Sequence, residues 1–468
     1  MHRGVPGRLH LRRQADALHP PRRVRRLRRV RAGLPGRGDL LRGRHAGAVE
    51  GLLQGERRVL RRPGLAWWGR QDGQDRQGPS VDRGAPAAVP GPLRHRGPAV
   101  AASGVAARLP DFPWDLLAPH AAIADRHPDG AVDLSVGTPV DPTPDVVRSA
   151  LSAAADAPGY PQTAGSPELR RAVVSWFARR RGVPGLDPAA VLPTIGSKEM
   201  VAWLPTLLGL GTGDVVVHPE IAYPTYDVGA RLAGATPVAA DGLTSLGPAP
   251  VRLLWLNSPS NPTGRVLPVD HLRKVVAWAR ERGAVLASDE CYAELGWAAH
   301  APPVSLLHPD VCGGSHEGLL VLYSLSKQSN LAGYRAAFVA GDPALVASLL
   351  QVRKHAGMIM PAPVQAAMVA ALGDDAHVAE QRERYAVRRA VLVDAFAAAG
   401  FRVEQSDAGL YLWVTRDQNC WDTVADLAAR GVLVAPGAFY GPAGVRHVRV
   451  ALTAPDERVA AAAERLTA

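Results

Sequence analysis

Short apolar runs at residues 215–217, 251–256, 284–287, 319–323 and 336–340 are separated by stretches in which apolar positions recur every three or four residues. Runs of this length, with almost no polar interruption, read as strands buried on both faces. Their alternation with helical stretches predicts an α/β fold, a mostly parallel sheet covered by helices. Residues 363–399, rich in Ala, Arg and Glu, predict one long helix leading into a smaller C-terminal lobe, and residues 447–452 predict a strand within that lobe. The expected organisation is therefore an N-terminal segment, 105–142, packed on the small lobe. It is followed by a large domain, 143–362, and by the connecting helix and small domain, 363–468.

Residues 1–104 break this pattern. Gly or Pro interrupts every candidate element, as at Pro35-Gly36, Pro63-Gly64 and Gly78-Pro79, so no core is predicted there. The first 100 residues hold 23 Arg, no Lys and 7 acidic residues, a net charge of +16 against +11 for the whole chain, which leaves residues 101–468 at −5. The basic excess thus belongs to the leader alone. The acidic remainder gives no reason to expect nucleic acid or an anionic membrane as partner.

Codon arithmetic offers an origin for the leader. Residues 22–35 can be written with GC-rich codons and read from the second base. Val24, Leu27, Val30 and Leu34 then each yield cysteine, and the shifted frame can read DECVDCGACEPVCP. That is the Cys spacing of a bacterial ferredoxin. The expectation is a disordered or non-native, wrong-frame leader with translation beginning near Val105; the alternative is a genuine Arg-rich tail.

No run of about 18 apolar residues is present, so no membrane span is predicted. Cys291, Cys312 and Cys420 lack metal-ligand spacing, so no metal is expected. Three cysteines in so long a chain point to a reducing compartment, and the cytoplasm is the expected location.

The chemistry is concentrated in a few strings. Lys327 closes Tyr323-Ser324-Leu325-Ser326-Lys327, eight residues before Arg335 and 38 after Asp289, which opens Asp289-Glu290-Cys291-Tyr292. A desolvated lysine can hold an aldehyde cofactor as an imine, and a carboxylate against a pyridine nitrogen keeps that ring electron-poor. Ser324, Ser326 and Arg335 supply hydroxyls and a guanidinium suited to a phosphate dianion. Upstream, Asn257-Ser258-Pro259-Ser260-Asn261-Pro262-Thr263-Gly264 follows the apolar run 251–256, where a loop at the end of a parallel strand would form a ligand crevice.

In order and spacing this set resembles the class I aminotransferases of the fold-type I pyridoxal phosphate family, over roughly residues 107–468. The resemblance implies a large, mostly parallel-sheet domain that binds the cofactor and a smaller α+β domain. It implies that Lys327 bonds the cofactor aldehyde, Asp289 its ring nitrogen, and Asn261 and Tyr292 its phenolic oxygen. Tyr223 would stack on the ring. Gly196, Ser197 and Lys198 would open a helix whose amides face the phosphate. Tyr160, in Gly159-Tyr160-Pro161, would reach the phosphate of a neighbouring subunit, which implies a homodimer with shared sites. Arg449 would grip the substrate α-carboxylate, with Gly137 beside the substrate.

Within that family, residues 112–114, 133–141, 353–358 and 407–413 resemble the actinobacterial N-succinyldiaminopimelate aminotransferases. They imply transfer between glutamate and N-succinyl-2-amino-6-oxopimelate in lysine and diaminopimelate synthesis, with Arg353 and Lys354 as candidates for the distal end of the substrate. Two alternatives stand: another class I aminotransferase or β-lyase on the same scaffold, and an aminotransferase-like transcription regulator. The leader shows no helix-turn-helix pattern to support the latter.

Overall fold

A computed structural model describes residues 104–468; the leader and its frame-shift reading lie outside them. The large domain is built on seven strands: β1 (Val191–Ile195), β2 (Val215–His218), β3 (Thr236–Ala239), β4 (Val251–Asn257), β5 (Val285–Asp289), β6 (Leu319–Ser324) and β7 (Ala336–Gly341). Their spatial order is β1-β7-β6-β5-β4-β2-β3, and β7 alone runs against its neighbours. All but β3 are almost wholly buried, because helices cover both faces. One face packs Trp176, Phe177 and Phe338 with the helices Pro167–Arg181, Val269–Glu281 and Ala362–Gly373. The other packs Met200, Tyr226 and Trp255 with the helices Ser197–Leu207, Thr225–Ala233 and Pro343–Ala356.

Topology decides where the chemistry can lie. Asn257 pairs with Asp289 in register, and both end their strands; Ser324 ends β6 beside them. The loops carrying Asn261, Tyr292 and Lys327 therefore leave one edge of the sheet, the carboxyl edge at which α/β folds bind ligands. Because β7 is antiparallel, its first residue, Ala336, pairs with the last residue of β1, Ile195. That register brings Arg335 to the same edge as Gly196.

The smaller lobe has a four-stranded antiparallel sheet: β8 (Arg402–Glu404), β9 (Tyr411–Thr415), β10 (Ala435–Pro436) and β11 (His447–Ala451), in the order β10-β11-β9-β8. Val132 and Asp133 pair with Val432 and Leu433, and Ala451 N–H donates to the Leu134 carbonyl, so residues 129–135 run along this lobe. The long helix expected over 363–399 is two helices, Ala362–Gly373 and Ala376–Ala398. Asp374 is extended, which ends the first helix, and its carboxylate accepts from the N–H of Ala376, the first residue of the second.

Candidate active site

Lys327 lies in the turn after β6, where Ser329 N–H donates back to the Leu325 carbonyl. Its side chain is half-buried, and Nζ donates to the carbonyl of Gly137. Burial lowers the pKa of this amine and decides the direction; Tyr411 and Cys291 oppose it, and Arg449 and Arg335 add to it. At Gly137 a Cβ would collide with the Tyr411 phenol, so only glycine lets the backbone come this close to the lysine.

Asp289 is buried at the end of β5. Its carboxylate accepts from the Tyr226 hydroxyl at 3.0 Å and from Cys291 N–H at 3.2 Å. Burial still raises its pKa, because these two bonds and a third from the Cys291 thiol do not replace the lost water. Tyr226 is held in turn by stacking on Trp255, with ring centroids 5.0 Å apart. Tyr223, three residues earlier, meets Tyr226 edge-on at 6.0 Å, and burial pushes its phenol up to about 12.

Asn257 organises the next loop. Its amide donates to the carbonyls of Asp289 and Pro259, and its oxygen accepts from Asn261 N–H at 2.7 Å. The Ser258–Pro259 and Asn261–Pro262 peptides are cis. Asn261 then accepts from Arg449 at 3.0 Å, and the Tyr292 hydroxyl lies 3.3 Å from that of Tyr411.

A cationic end is formed where β1 and β7 meet. Gly196 precedes the helix Ser197–Leu207 at φ 83°, and a Cβ on it would strike the Arg335 guanidinium. Lys198 has its pKa lowered first by burial and then by Arg335. Lys198 and Arg335, near enough to repel each other beside a helix N-terminus, suit an anion at this end of the site. Ser324 donates to Ser326 at 2.8 Å, and Ser197 hydrogen-bonds the Cys291 thiol beside Asp289.

Arg449 projects from β11 into the same space although it is only 2% exposed. It donates to Asn261 and, at 2.6 Å, to the Ser135 carbonyl; its carbon lies 3.9 Å from the Tyr411 ring centroid and 4.9 Å from that of Tyr440. Burial opposes ionisation of the Tyr411 phenol, but Arg449 and Lys327 outweigh it and hold that phenol below its ordinary range.

The structure thus gathers Lys327, Asn261, Asp289, Tyr292, Tyr223, Gly137 and Arg449 around one crevice, with Gly196, Ser197, Lys198, Ser324, Ser326 and Arg335 at its cationic end. Tyr160 is apart from them and fully exposed on its own chain. Arg353 is corrected: it is completely buried and pairs with Glu199 at 2.7 Å, so its guanidinium serves the fold rather than the distal end of a substrate. Lys354, the next residue, is exposed. Sequence reasoning missed Tyr226 and Tyr411. Tyr411 stood within residues 407–413 and Tyr226 three residues after Tyr223, but only the fold shows that they reach this site.

These residues fit pyridoxal phosphate. A dianion would neutralise Lys198 and Arg335, a protonated ring nitrogen would add a charged donor to those that buried Asp289 already has in Tyr226 and Cys291, and the aldehyde has in Lys327 an amine whose pKa burial lowers. Residues 129–466 match the model of the family described as aminotransferase class I and II. The chain belongs to that family. It is 63% identical over 419 residues to a probable aminotransferase of Mycobacterium tuberculosis, covering 90% of this chain and 100% of the other. It is also 63% identical over 359 residues to the 4-dedimethylamino-4-oxo-anhydrotetracycline transaminase of Streptomyces rimosus, covering 77% and 99%. Among solved structures, a Neisseria meningitidis aminotransferase superposes with a TM-score of 0.71 at 31% identity, covering 77% of this chain and 97% of that one. A probable N-succinyldiaminopimelate aminotransferase of Thermus thermophilus gives 0.69 at 29%, covering 76% and 99%. The protein is a pyridoxal phosphate-dependent aminotransferase of fold-type I.

Proposed function

We propose that this aminotransferase moves an amino group between glutamate and N-succinyl-2-amino-6-oxopimelate, and that it works as a homodimer in which Tyr160 of each subunit serves the site of the other. The observation that carries an amino-acid substrate is Arg449, a buried guanidinium beside Lys327 whose Nε has no partner among the described residues. The succinylated substrate is supported by the likeness of residues 112–114, 133–141, 353–358 and 407–413 and by the Thermus structure. The dimer is supported by the family likeness of Gly159-Tyr160-Pro161 and is compatible with the full exposure of Tyr160 on its own chain.

When bound, pyridoxal phosphate supplies an aldehyde that takes up the amino group and a ring that draws electrons from the substrate Cα–H bond. Lys327 would hold the aldehyde and Asp289 the ring nitrogen. Lys198, Arg335, Ser324, Ser326 and the amides at Gly196 and Ser197 would hold the phosphate. Arg449 binds the α-carboxylate by charge-assisted hydrogen bonds. Burial favours the neutral Lys327 amine, the form that can take the proton from substrate Cα and return one. Asn261 joins the two tasks, because it accepts from Arg449 while lying on the loop that Asn257 ties to Asp289.

The Streptomyces rimosus relative favours a second reading, a polycyclic ketone as amino acceptor. Glutamate with N-succinyl-2-amino-6-oxopimelate, 2-oxo acids and 4-dedimethylamino-4-oxo-anhydrotetracycline as acceptors forms a decisive panel. The highest kcat/KM should fall on the succinylated acceptor, and a higher value on the tetracycline ketone would overturn the assignment. Lys327→Ala should abolish both transamination and the absorbance of lysine-bound cofactor; an unchanged spectrum would remove Lys327 from the chemistry.

A further inference from the structure

Tyr440 lies in the short 3-10 helix Gly437–Tyr440 and is 2% exposed, yet its hydroxyl has no hydrogen-bond partner among the described residues. The backbone carbonyl of Tyr440 accepts from Ala222 N–H at 2.8 Å, next to Tyr223, and the ring is met on two sides: Trp413 edge-on at 5.9 Å, and the Arg449 guanidinium carbon 4.9 Å from its centroid. Arg449 Nε is also buried and unpartnered. Buried polar groups are nearly always paired, and leaving a hydroxyl unpaired is costly. Here two unpaired donors occur in two side chains that touch, at the substrate crevice. A carboxylate has lone pairs enough to accept from both.

We propose that Tyr440 is a second substrate-binding donor, its hydroxyl sharing with Arg449 the carboxylate of the amino donor. The inference rests on the assignment of Arg449 to that carboxylate. It also explains why a tyrosine occupies a position so well packed that phenylalanine would fill it without leaving a hydroxyl unpaired.

The test is Tyr440→Phe in the cofactor-loaded enzyme, with glutarate, a dicarboxylate that has no amine to transfer, as calorimetric probe. One lost hydrogen bond to a charged group should raise the glutarate Kd roughly tenfold or more, and the KM for glutamate should rise with it. The melting temperature should hold or rise, because the variant carries no unpaired hydroxyl. An unchanged Kd would overturn the proposal, and so would a lower melting temperature with unchanged Kd, which would mean that the hydroxyl is satisfied within the fold. Arg449→Lys separates the two ideas. If it weakens glutarate while Tyr440→Phe does not, only the role of Tyr440 falls; if neither weakens it, the carboxylate site itself is misassigned.

Discussion

Tyr226 shows how one hydroxyl can set the charge of a buried acid. Its hydrogen bond lowers the Asp289 pKa, while burial raises it more. Tyr226→Phe removes the opposing effect, so the folded pKa should climb further. Activity needs the ionised carboxylate, so the acid limb of the kcat/KM profile should move to higher pH, and the plateau should fall about tenfold for one lost hydrogen bond to a charged group. A pH profile with glutamate and 2-oxoglutarate checks this; an unmoved acid limb would mean that Asp289 does not control the rate. Arg449→Lys acts elsewhere. An ammonium cannot reproduce the planar grip of a guanidinium, so KM should rise for every amino donor, by about 1.5–3 kcal/mol in binding. Harm confined to one donor would show that Arg449 reads something other than the shared carboxylate.

The helix Ala376–Ala398 carries a buried stripe at His377, Gln381, Tyr385 and Arg388, positions that recur on one helical face. His377 Nε2 lies 2.8 Å from the Ser329 hydroxyl, Gln381 accepts from Asn330, and the Tyr385 hydroxyl donates to the Lys327 carbonyl. The helix therefore holds the lysine loop by its polar side. Arg388 extends the stripe by two hydrogen bonds to Asp141, with the pair 3% and 10% exposed, and a third to Asp456. Burial opposes ionisation of Asp141, but the hydrogen bonds from Arg388 and Gln381 prevail and hold its pKa below the ordinary range. Asp141→Asn should cost about 3 kcal/mol, the usual effect of breaking a buried pair. The folded pKa is depressed, so the contribution is present above the unfolded value of about 3.9 and lost as pH falls through the folded value. Urea unfolding at pH 7 and near pH 3 should show the gap between parent and variant closing in acid; an equal gap at both would deny the ion pair its role.

That stripe also marks where reading the sequence stopped. The strands of the large sheet were legible because burial on both faces leaves continuous apolar runs, and the cofactor strings were legible because loops at one sheet edge keep a fixed order. The reversed direction of β7 left no trace, since an antiparallel strand buried on both faces has the same composition as a parallel one. His, Gln and Arg within a helix read as a solvent face, although here they line an interior seam. Arg353, expected at the distal end of the substrate, misled because its partner Glu199 is 154 residues away in the chain.

The whole molecule poses the question of how many chains make one site. Tyr160 is fully exposed, whereas the other residues assigned to the cofactor lie along the crevice of their own chain. If Tyr160 completes the site of a neighbour, two damaged subunits can repair each other. Lys327→Ala subunits have no working site but keep an intact Tyr160. Tyr160→Ala subunits keep Lys327 but should hold the phosphate less tightly, by roughly tenfold for one charge-assisted hydrogen bond. In a hybrid dimer the Lys327 of the second subunit faces the Tyr160 of the first, giving one complete site. Mixing and refolding the two variants at limiting pyridoxal phosphate should therefore yield more activity than either alone, and sedimentation should show a dimer. Activity no greater than that of the diluted Tyr160→Ala protein would mean that each chain closes its own site, and that the exposed Tyr160 has another purpose.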